Sequence, residues 1–413
     1  MFHVKHRVKM NKEKNNIYEI IVIGAGLAGS EAGFITSNYG LRTLIINISM
    51  DNPAILKYAA RFGGLSNNVL LNKIESLGGF INSAINKNKI AQKSDLGKDI
   101  DTTINIVDKR KFSLFYKYSI ENQSNLQTRQ GMVTDIEINN KGKAIKYLVK
   151  LSDGSIFFSK AIIISVGTFL NAAIFWGKNK GESGRNGELN SRILYESLKS
   201  MNYAFKKEVV YISPKIDRRS LDLRKIKILK SEADINTMAF KMHDASNGYI
   251  KDINMDKTYS YKTKISKNVL MECINTINVN YKFGGLERLL KAPISKIKLK
   301  DSKTAEFEIE MFSEGGRTME LYVNEFDFVF SDEEQNLILN KFYGLENAAI
   351  ISPGYCIKYE RLKQEFLKEN LESKIHENMF FAGEVIMPQS YESIALQGLT
   401  AGINAAKNIF AGK

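Results

Sequence analysis

Three glycines near the start of the chain, Gly24, Gly26 and Gly29, form the pattern G-x-G-x-x-G. The apolar run Glu19–Ile23 leads into them, and a helical pattern follows to about Tyr39. In that setting the first glycine permits a tight turn and the second lets the backbone approach a pyrophosphate. The third lets helix and strand pack closely. The helix start behind the loop offers unpaired N–H groups and partial positive charge to phosphates. Thr43–Asn47 reads as a second buried parallel strand, completing a β-turn-α-β unit. This is dinucleotide-binding chemistry, assigned to Gly24, Ala25, Gly26, Leu27, Ala28 and Gly29. Glu31 adds the acid common in flavoprotein versions of the loop. The acid expected at the end of the second strand, on the ribose hydroxyls, is replaced by Asn47, which can still donate and accept.

Two later segments repeat the theme. Ile162–Leu170 is an apolar strand entering a Gly167-Thr168 turn. Met379–Glu384 carries Gly383 and Glu384 and precedes Tyr391–Phe410, a helical pattern capped by Ser390. In flavin proteins such a second helix terminus faces the isoalloxazine and stabilises the anionic reduced form. Three such segments in this order predict bound FAD. Nucleophiles are few. Cys273 and Cys356 are the only cysteines, which excludes a disulfide scaffold and makes a reducing, cytoplasmic setting the default. Cys356, in an apolar segment, reads as structural. Cys273 is open between a nucleophile and a small buried hydrophobe. Four scattered histidines and no CxxC or HxxxH spacing argue against a zinc site.

The elements that must position these residues set the fold class. A chain of 413 residues is long for one ordinary domain. The expectation is an α/β, two-dinucleotide-binding-domain (Rossmann-like) FAD fold with an inserted second α/β domain. Residues 1–16 read as a basic disordered tail. Residues 17–200 and 331–413 form a discontinuous FAD-binding domain, and 201–330 an inserted NAD(P)- or substrate-type domain. Asn68–Leu77 is read as an amphipathic helix with Val69, Leu70, Ile74 and Leu77 apolar, and Lys111–Ile120 as another helix. Asp135–Leu151 alternates like antiparallel strands around Asn139–Gly142. Ser331 and Glu334 form a capping box before a helix ended by Gly344. The stretch from about Met201 to Glu320 is less regular and basic, with lysines and arginines crowded between Lys206 and Lys230. The net charge of +14 favours phosphate-rich partners. A Lys-, Asn- and Ile-rich composition gives the same charge with no such partner. No apolar run reaches the ~18 residues of a membrane-spanning helix.

Together these residues resemble the MnmG (GidA) family of tRNA-uridine modification flavoproteins, and more distantly the folate-dependent TrmFO methyltransferases. The likeness runs from Tyr18 to about Ile409. Phe62-Gly63-Gly64 through Glu75-Ser76-Leu77-Gly78-Gly79 is similar to the family's I-G-G…D-A-L-G-G. Gly167-Thr168-Phe169-Leu170, Gly184–Glu188 and Pro214–Asp217 resemble G-T-F-L, G-R-x-G-E and P-R-I-D. Pro353-Gly354-Tyr355 resembles the start of P-G-Y-x-I-x-Y. Most specific are Phe381-Ala382-Gly383-Glu384 and the run Gln397–Ala406, a likeness that implies Gln397 among the FAD-binding residues. The resemblance implies FAD, reduction by NAD(P)H, 5,10-methylenetetrahydrofolate as carbon source, a tRNA wobble uridine as substrate and a homodimer. In that chemistry a cysteine thiolate attacks uracil C6 and makes C5 nucleophilic.

Departures bear on activity. The family's first cysteine falls on Tyr58, and a phenol does not replace a soft thiolate at neutral pH. The second lies near Cys273, where Glu272 competes for the position. The family's basic K-G-P-A-V-R-A stretch is missing around Ser94–Ile104, and its S-T-S-L-P loop reads Asp327–Ser331. A loop of the family after the second cysteine is mostly deleted. With Lys413 last, the helical C-terminal domain that in MnmG helps hold tRNA and the MnmE GTPase is expected to be absent, which weighs against an MnmE-type partner. Three readings stay open: a tRNA-uridine modification flavoenzyme with altered or lost chemistry, a diverged FAD/NAD(P)H oxidoreductase on another substrate, and a non-catalytic paralogue.

Overall fold

In a computed structural model describing residues 16–94, 102–139, 145–231, 258–278 and 305–412, the strand–loop–helix unit forms as its spacing predicts. Strand β1 (Ile17–Ile23) leads through the glycine loop into helix α1 (Leu27–Asn38) and strand β2 (Thr43–Asn47). β1 and β2 pair in parallel, from Ile20 with Thr43 to Ile23 with Ile46. Both are almost wholly buried, as a parallel sheet covered on two faces requires. Side chains alternate between two cores. Ile20 and Val22 join the helical layer with Phe34 and Tyr116, and Ile21 and Ile23 join the opposite layer with Val133 and Phe381.

Strand Leu126–Gln130 extends the sheet beyond β2, and β3 (Ile156–Ile164) lies on the other side of β1. The first half of β3 pairs antiparallel with Tyr147–Leu151, which in turn pairs with Val133–Ile138. Its second half takes β4 (Met379–Phe381), which runs parallel to it. Sequence-distant strands therefore share one sheet. Helix α2 (Tyr391–Phe410) follows β4 and packs on α1. The approach is close because glycine faces it: a Cβ on Gly398 would lie 2.0 Å from the Ala28 carbonyl oxygen.

The Rossmann-like sheet with a second domain is thus the architecture found. The second part is built of antiparallel strands: Lys227–Lys230, Thr258–Ser266, Glu306–Ser313, Glu320–Asn324, Lys215–Asp217 and Ile350–Ser352, in that spatial order. A four-stranded sheet joins the two parts, in the order Asn179–Gly181, Ala173–Trp176, Tyr355–Leu362, Phe205–Ile212. This second body reaches beyond the expected span 201–330. Helix Asp332–Leu339, opened by the Ser331/Glu334 capping box, buries Ile338 and Leu339 with Phe307 and Phe326. The residues that cover that core, rather than a change in texture, set its extent.

One apolar stripe differs from expectation. The helix predicted over Asn68–Leu77 spans Leu65–Ser76, and its buried side is Asn68, Leu71 and Ile74. Val69 is 64% exposed. Asn68 turns inward because its amide donates to the Thr103 carbonyl (3.0 Å). The expected tail 1–16 lies almost wholly outside the described residues, as does most of the expected turn Asn139–Gly142.

Candidate functional site

A cleft of about 440 Å³ opens at the carboxyl ends of β1, β2 and β3. This is where open parallel sheets bind ligands. The glycine loop forms its floor, and its three glycines do different work. Gly24 has φ +104°, and a Cβ there would lie 2.5 Å from the Ser165 carbonyl oxygen. A Cβ on Gly29 would lie 1.8 Å from the Gly24 carbonyl oxygen. Those two glycines serve the packing of loop on strand and helix. Gly26 has φ −66°, and nothing stands within 4 Å of its missing Cβ. It lines the cleft with Gly24, Ala25, Leu27 and Ala28, so the space before it is room for a ligand.

Asn47 lines the cleft from the end of β2. Its Oδ1 accepts from the Ala25 N–H (3.2 Å) and its Nδ2 donates to the Ser49 carbonyl (2.5 Å). It therefore braces the loop as well as facing the ligand space. Ser165, which sequence reasoning missed, donates from Oγ to the carbonyls of Ile23 and Gly24, both at 3.0 Å. Gly167 and Thr168 line the cleft, with Gly167 at φ +57° and the Thr168 hydroxyl donating to the Gly184 carbonyl (3.0 Å).

Gly383 and Glu384 close the far end with Lys57, Arg185 and Tyr391. Gln397 sits behind them: its Oε1 accepts from the Gly383 N–H (2.8 Å), holding the turn. Lys57 Nζ lies 2.5 Å from Glu384 Oε2, with both side chains about nine-tenths buried. Burial pulls the Lys57 amine below the usual lysine range, and Glu384 opposes that shift. The Tyr58 hydroxyl donates to Glu384 Oε1 (3.3 Å), and the Tyr359 hydroxyl to the Glu384 carbonyl (3.0 Å). Burial, then the Glu384 charge, push the Tyr58 phenol well above its ordinary value, so it stays protonated. Behind Tyr58, Lys109 Nζ donates to the Tyr58 carbonyl (3.1 Å) and to Glu314 Oε2 (2.7 Å). Lys215 reaches the same Glu314 oxygen at 2.9 Å. This polar chain ties the cleft to the second sheet.

Four expected site residues do not line the cleft: Gly29, Glu31, Cys273 and Gln397. Glu31 is fully buried on the inner side of α1. Its carboxylate accepts from the Phe80 N–H and the Tyr116 hydroxyl, both at 2.7 Å. Burial raises its pKa from 4.5 to about 7. Gly29 faces inward as described. Cys273 sits on helix Lys267–Asn278, half-buried against the second core, with its thiol pushed up by burial. Cys356 is fully buried, its thiol pushed up to about 12. These are the only cysteines, and neither lines the cleft. Lys57 was missed by sequence reasoning. Its one signal was its place beside Tyr58, the position where the resembled family carries cysteine. No group of residues suited to a metal occurs among the described residues, and none of their helices is long and apolar enough to cross a membrane.

The cleft suits FAD on its own features: open space before Gly26, a floor of backbone amides, and an apolar lining from Ile23, Leu27, Val166, Phe169 and Ile394. A family model described as "Glucose inhibited division protein A" matches residues 19–412. A tRNA uridine 5-carboxymethylaminomethyl modification enzyme MnmG from Karelsulcia muelleri is 31% identical over 396 residues, covering 94% of this chain and 63% of its own length. The enzyme of that name from Alkaliphilus oremlandii is 29% identical over 399 residues, 95% of this chain and 62% of its own. Among solved structures, Aquifex aeolicus GidA in its form II crystal superposes with a TM-score of 0.83 at 25% identity, covering 96% of this chain and 64% of that one. The chain thus spans about 63% of the length of the curated relatives it matches.

Proposed function

The chain belongs to the glucose inhibited division protein A family, and on that premise we propose that it is an FAD-dependent tRNA wobble-uridine modification protein whose cleft works without a thiol of its own. The observation that carries the reading is the cleft at the glycine loop, where Gly26 alone of the three glycines leaves open space. The names of the relatives supply the RNA substrate.

In this reading Gly24–Ala28 hold the pyrophosphate through backbone amides, and Asn47 takes the ribose end. Gly167, Thr168, Gly383 and Glu384 hold the flavin end. Glu31, Gly29 and Gln397 act at one remove, by fixing α1 and the Gly383 turn. Bound flavin would supply hydride or one-carbon transfer. The chain's own residues supply proton control. Lys57 and Glu384 are a buried pair within reach of one proton, and Tyr58 is a protonated donor on the same carboxylate. The aromatic and aliphatic side chains of the lining give the flavin an apolar wall. NAD(P)H as reductant, 5,10-methylenetetrahydrofolate as carbon source and a homodimer belong to the same proposal.

A second reading has one observation in its favour. With Tyr58 where the resembled motif has cysteine, and both thiols away from the cleft, a flavin oxidoreductase on another substrate also fits. Binding of unmodified tRNA transcript to purified, flavin-loaded protein in low salt separates them, together with mass spectrometry of tRNA from a deletion strain. Binding and an unmodified wobble uridine are expected. NAD(P)H oxidation with neither would favour the second reading.

A further inference from the structure

The basic run between Lys206 and Lys230 does not act as one surface. Arg219 is held by Asp217 and Arg224 by Asp222, each through paired hydrogen bonds. Lys225 pairs with Glu346, and Lys215 is drawn into the Glu314 cluster. Such side chains have little charge left for a partner.

Lys207 differs, and strand register explains why. In the four-stranded sheet Lys207 stands opposite Glu360, Lys358 opposite both Val209 and Ala173, and Lys180 opposite Phe175. Cross-strand partners share a face, as do alternate residues along a strand. Lys180, Lys207, Lys358 and Glu360 therefore rise from one face. Helix Arg192–Ser200 brings Arg192 to the same place. The other face carries Tyr359, whose hydroxyl reaches Glu384 in the cleft. The four cations line a pocket of about 190 Å³ with two carboxylates, Glu182 and Glu360. Glu360 is 8% exposed, and its burial raises its pKa against the pull of Lys207 and Lys358. Among the described residues none of the four cations is in an ion pair. Four cations against two carboxylates leave a surplus of two positive charges.

We propose that this pocket, lined by Lys180, Arg192, Lys207 and Lys358 on the sheet face opposite the cleft, binds backbone phosphates of the RNA substrate. The inference rests on the tRNA reading above. A surplus of two positive charges suits adjacent phosphodiesters, each carrying one negative charge. The strand that bears Lys358 also bears Tyr359, so an RNA seated here runs along the element that contacts the cleft from behind.

The test uses the full chain loaded with flavin. Filter binding of a tRNA transcript is measured over a salt series for the parent, Lys207→Glu/Lys358→Glu, Lys180→Gln/Lys207→Gln and Arg219→Gln/Arg224→Gln. Lys180 and Lys207 are exposed, so the glutamine pair guards against misfolding. Both pocket variants are expected to lower the slope of log K against log salt by about two, one per lost phosphate contact. The charge reversal is expected to lower affinity on the order of tenfold in low salt. The Arg219/Arg224 pair is expected to change neither. Unchanged slope and affinity in both pocket variants overturn the proposal while leaving tRNA binding intact. Loss of NADPH affinity with tRNA binding unchanged also overturns it, by assigning the phosphate to a nucleotide. A parent that binds no tRNA in low salt sinks the substrate reading itself, and this inference with it.

Discussion

Gly26→Ala separates ligand binding from folding, because the backbone and the space around Gly26 both accept a methyl group. Its φ of −66° and ψ of −177° are extended values that alanine adopts, and no atom stands within 4 Å of the new Cβ. Gly26 is the N-cap of α1, where alanine is worse than glycine by roughly 0.5–1 kcal/mol. Alanine also reduces the freedom of the unfolded chain, a gain of about 0.4–1 kcal/mol. The two offset, so the ligand-free melting temperature should move by no more than about 2 °C. The methyl does enter the space assigned to the pyrophosphate. Overpacking of that kind costs about 1–3 kcal/mol, which is roughly a 5- to 150-fold rise in Kd. Calorimetric titration of ligand-free protein with FAD, beside a thermal melt, reads both quantities. Gly29→Ala is the contrasting variant: its Cβ would sit 1.8 Å from the Gly24 carbonyl oxygen, so folding itself should fail. The reasoning is refuted if Gly26→Ala binds FAD as the parent does, or melts as early as Gly29→Ala.

Glu31→Gln should stabilise the protein above pH 7 and change little below pH 4.5. An acid raised from 4.5 to about 7 on folding holds its proton more tightly when folded, so stability falls as pH rises through that window, by roughly 3 kcal/mol. Urea midpoints of parent and variant across pH check this, and a pH-independent difference contradicts it. Lys57→Met leaves Glu384 buried without its cation and should cost about 3–5 kcal/mol, part of which Lys57→Met/Glu384→Gln restores. A denaturation double-mutant cycle measures the coupling, and strict additivity would count against the pair. Tyr58→Cys should add one thiol that reacts with Ellman's reagent and is shielded by FAD, since no native thiol lines the cleft. A flavin-shielded thiol already present in the parent would contradict the thiol-free site.

Much of the site was legible because it is local. The glycine spacing, the Ser390 cap of α2 and the Ser331/Glu334 box each depend on residues a few positions apart. What was not legible depends on partners far along the chain. The motif places Glu31 toward the ligand, but Phe80 and Tyr116 claim both its oxygens. Lys57 gains its character from burial beside Glu384, and Gln397 its role from Gly383. Apolar spacing puts Val69 on a buried stripe, yet a backbone carbonyl of Thr103 draws Asn68 inward instead. The basic run looked uniform because sequence shows charges without their counter-charges. Strand register sorts them, pairing Arg219 and Arg224 away and raising Lys207 and Lys358 beside one pocket.

The most direct measurement is a visible-absorbance titration of ligand-free protein with FAD, followed by gel filtration. The account predicts saturation at one flavin per chain, a perturbed flavin band that co-elutes with the protein, and weaker retention by Gly26→Ala. A preparation that emerges colourless after incubation with excess FAD would contradict it.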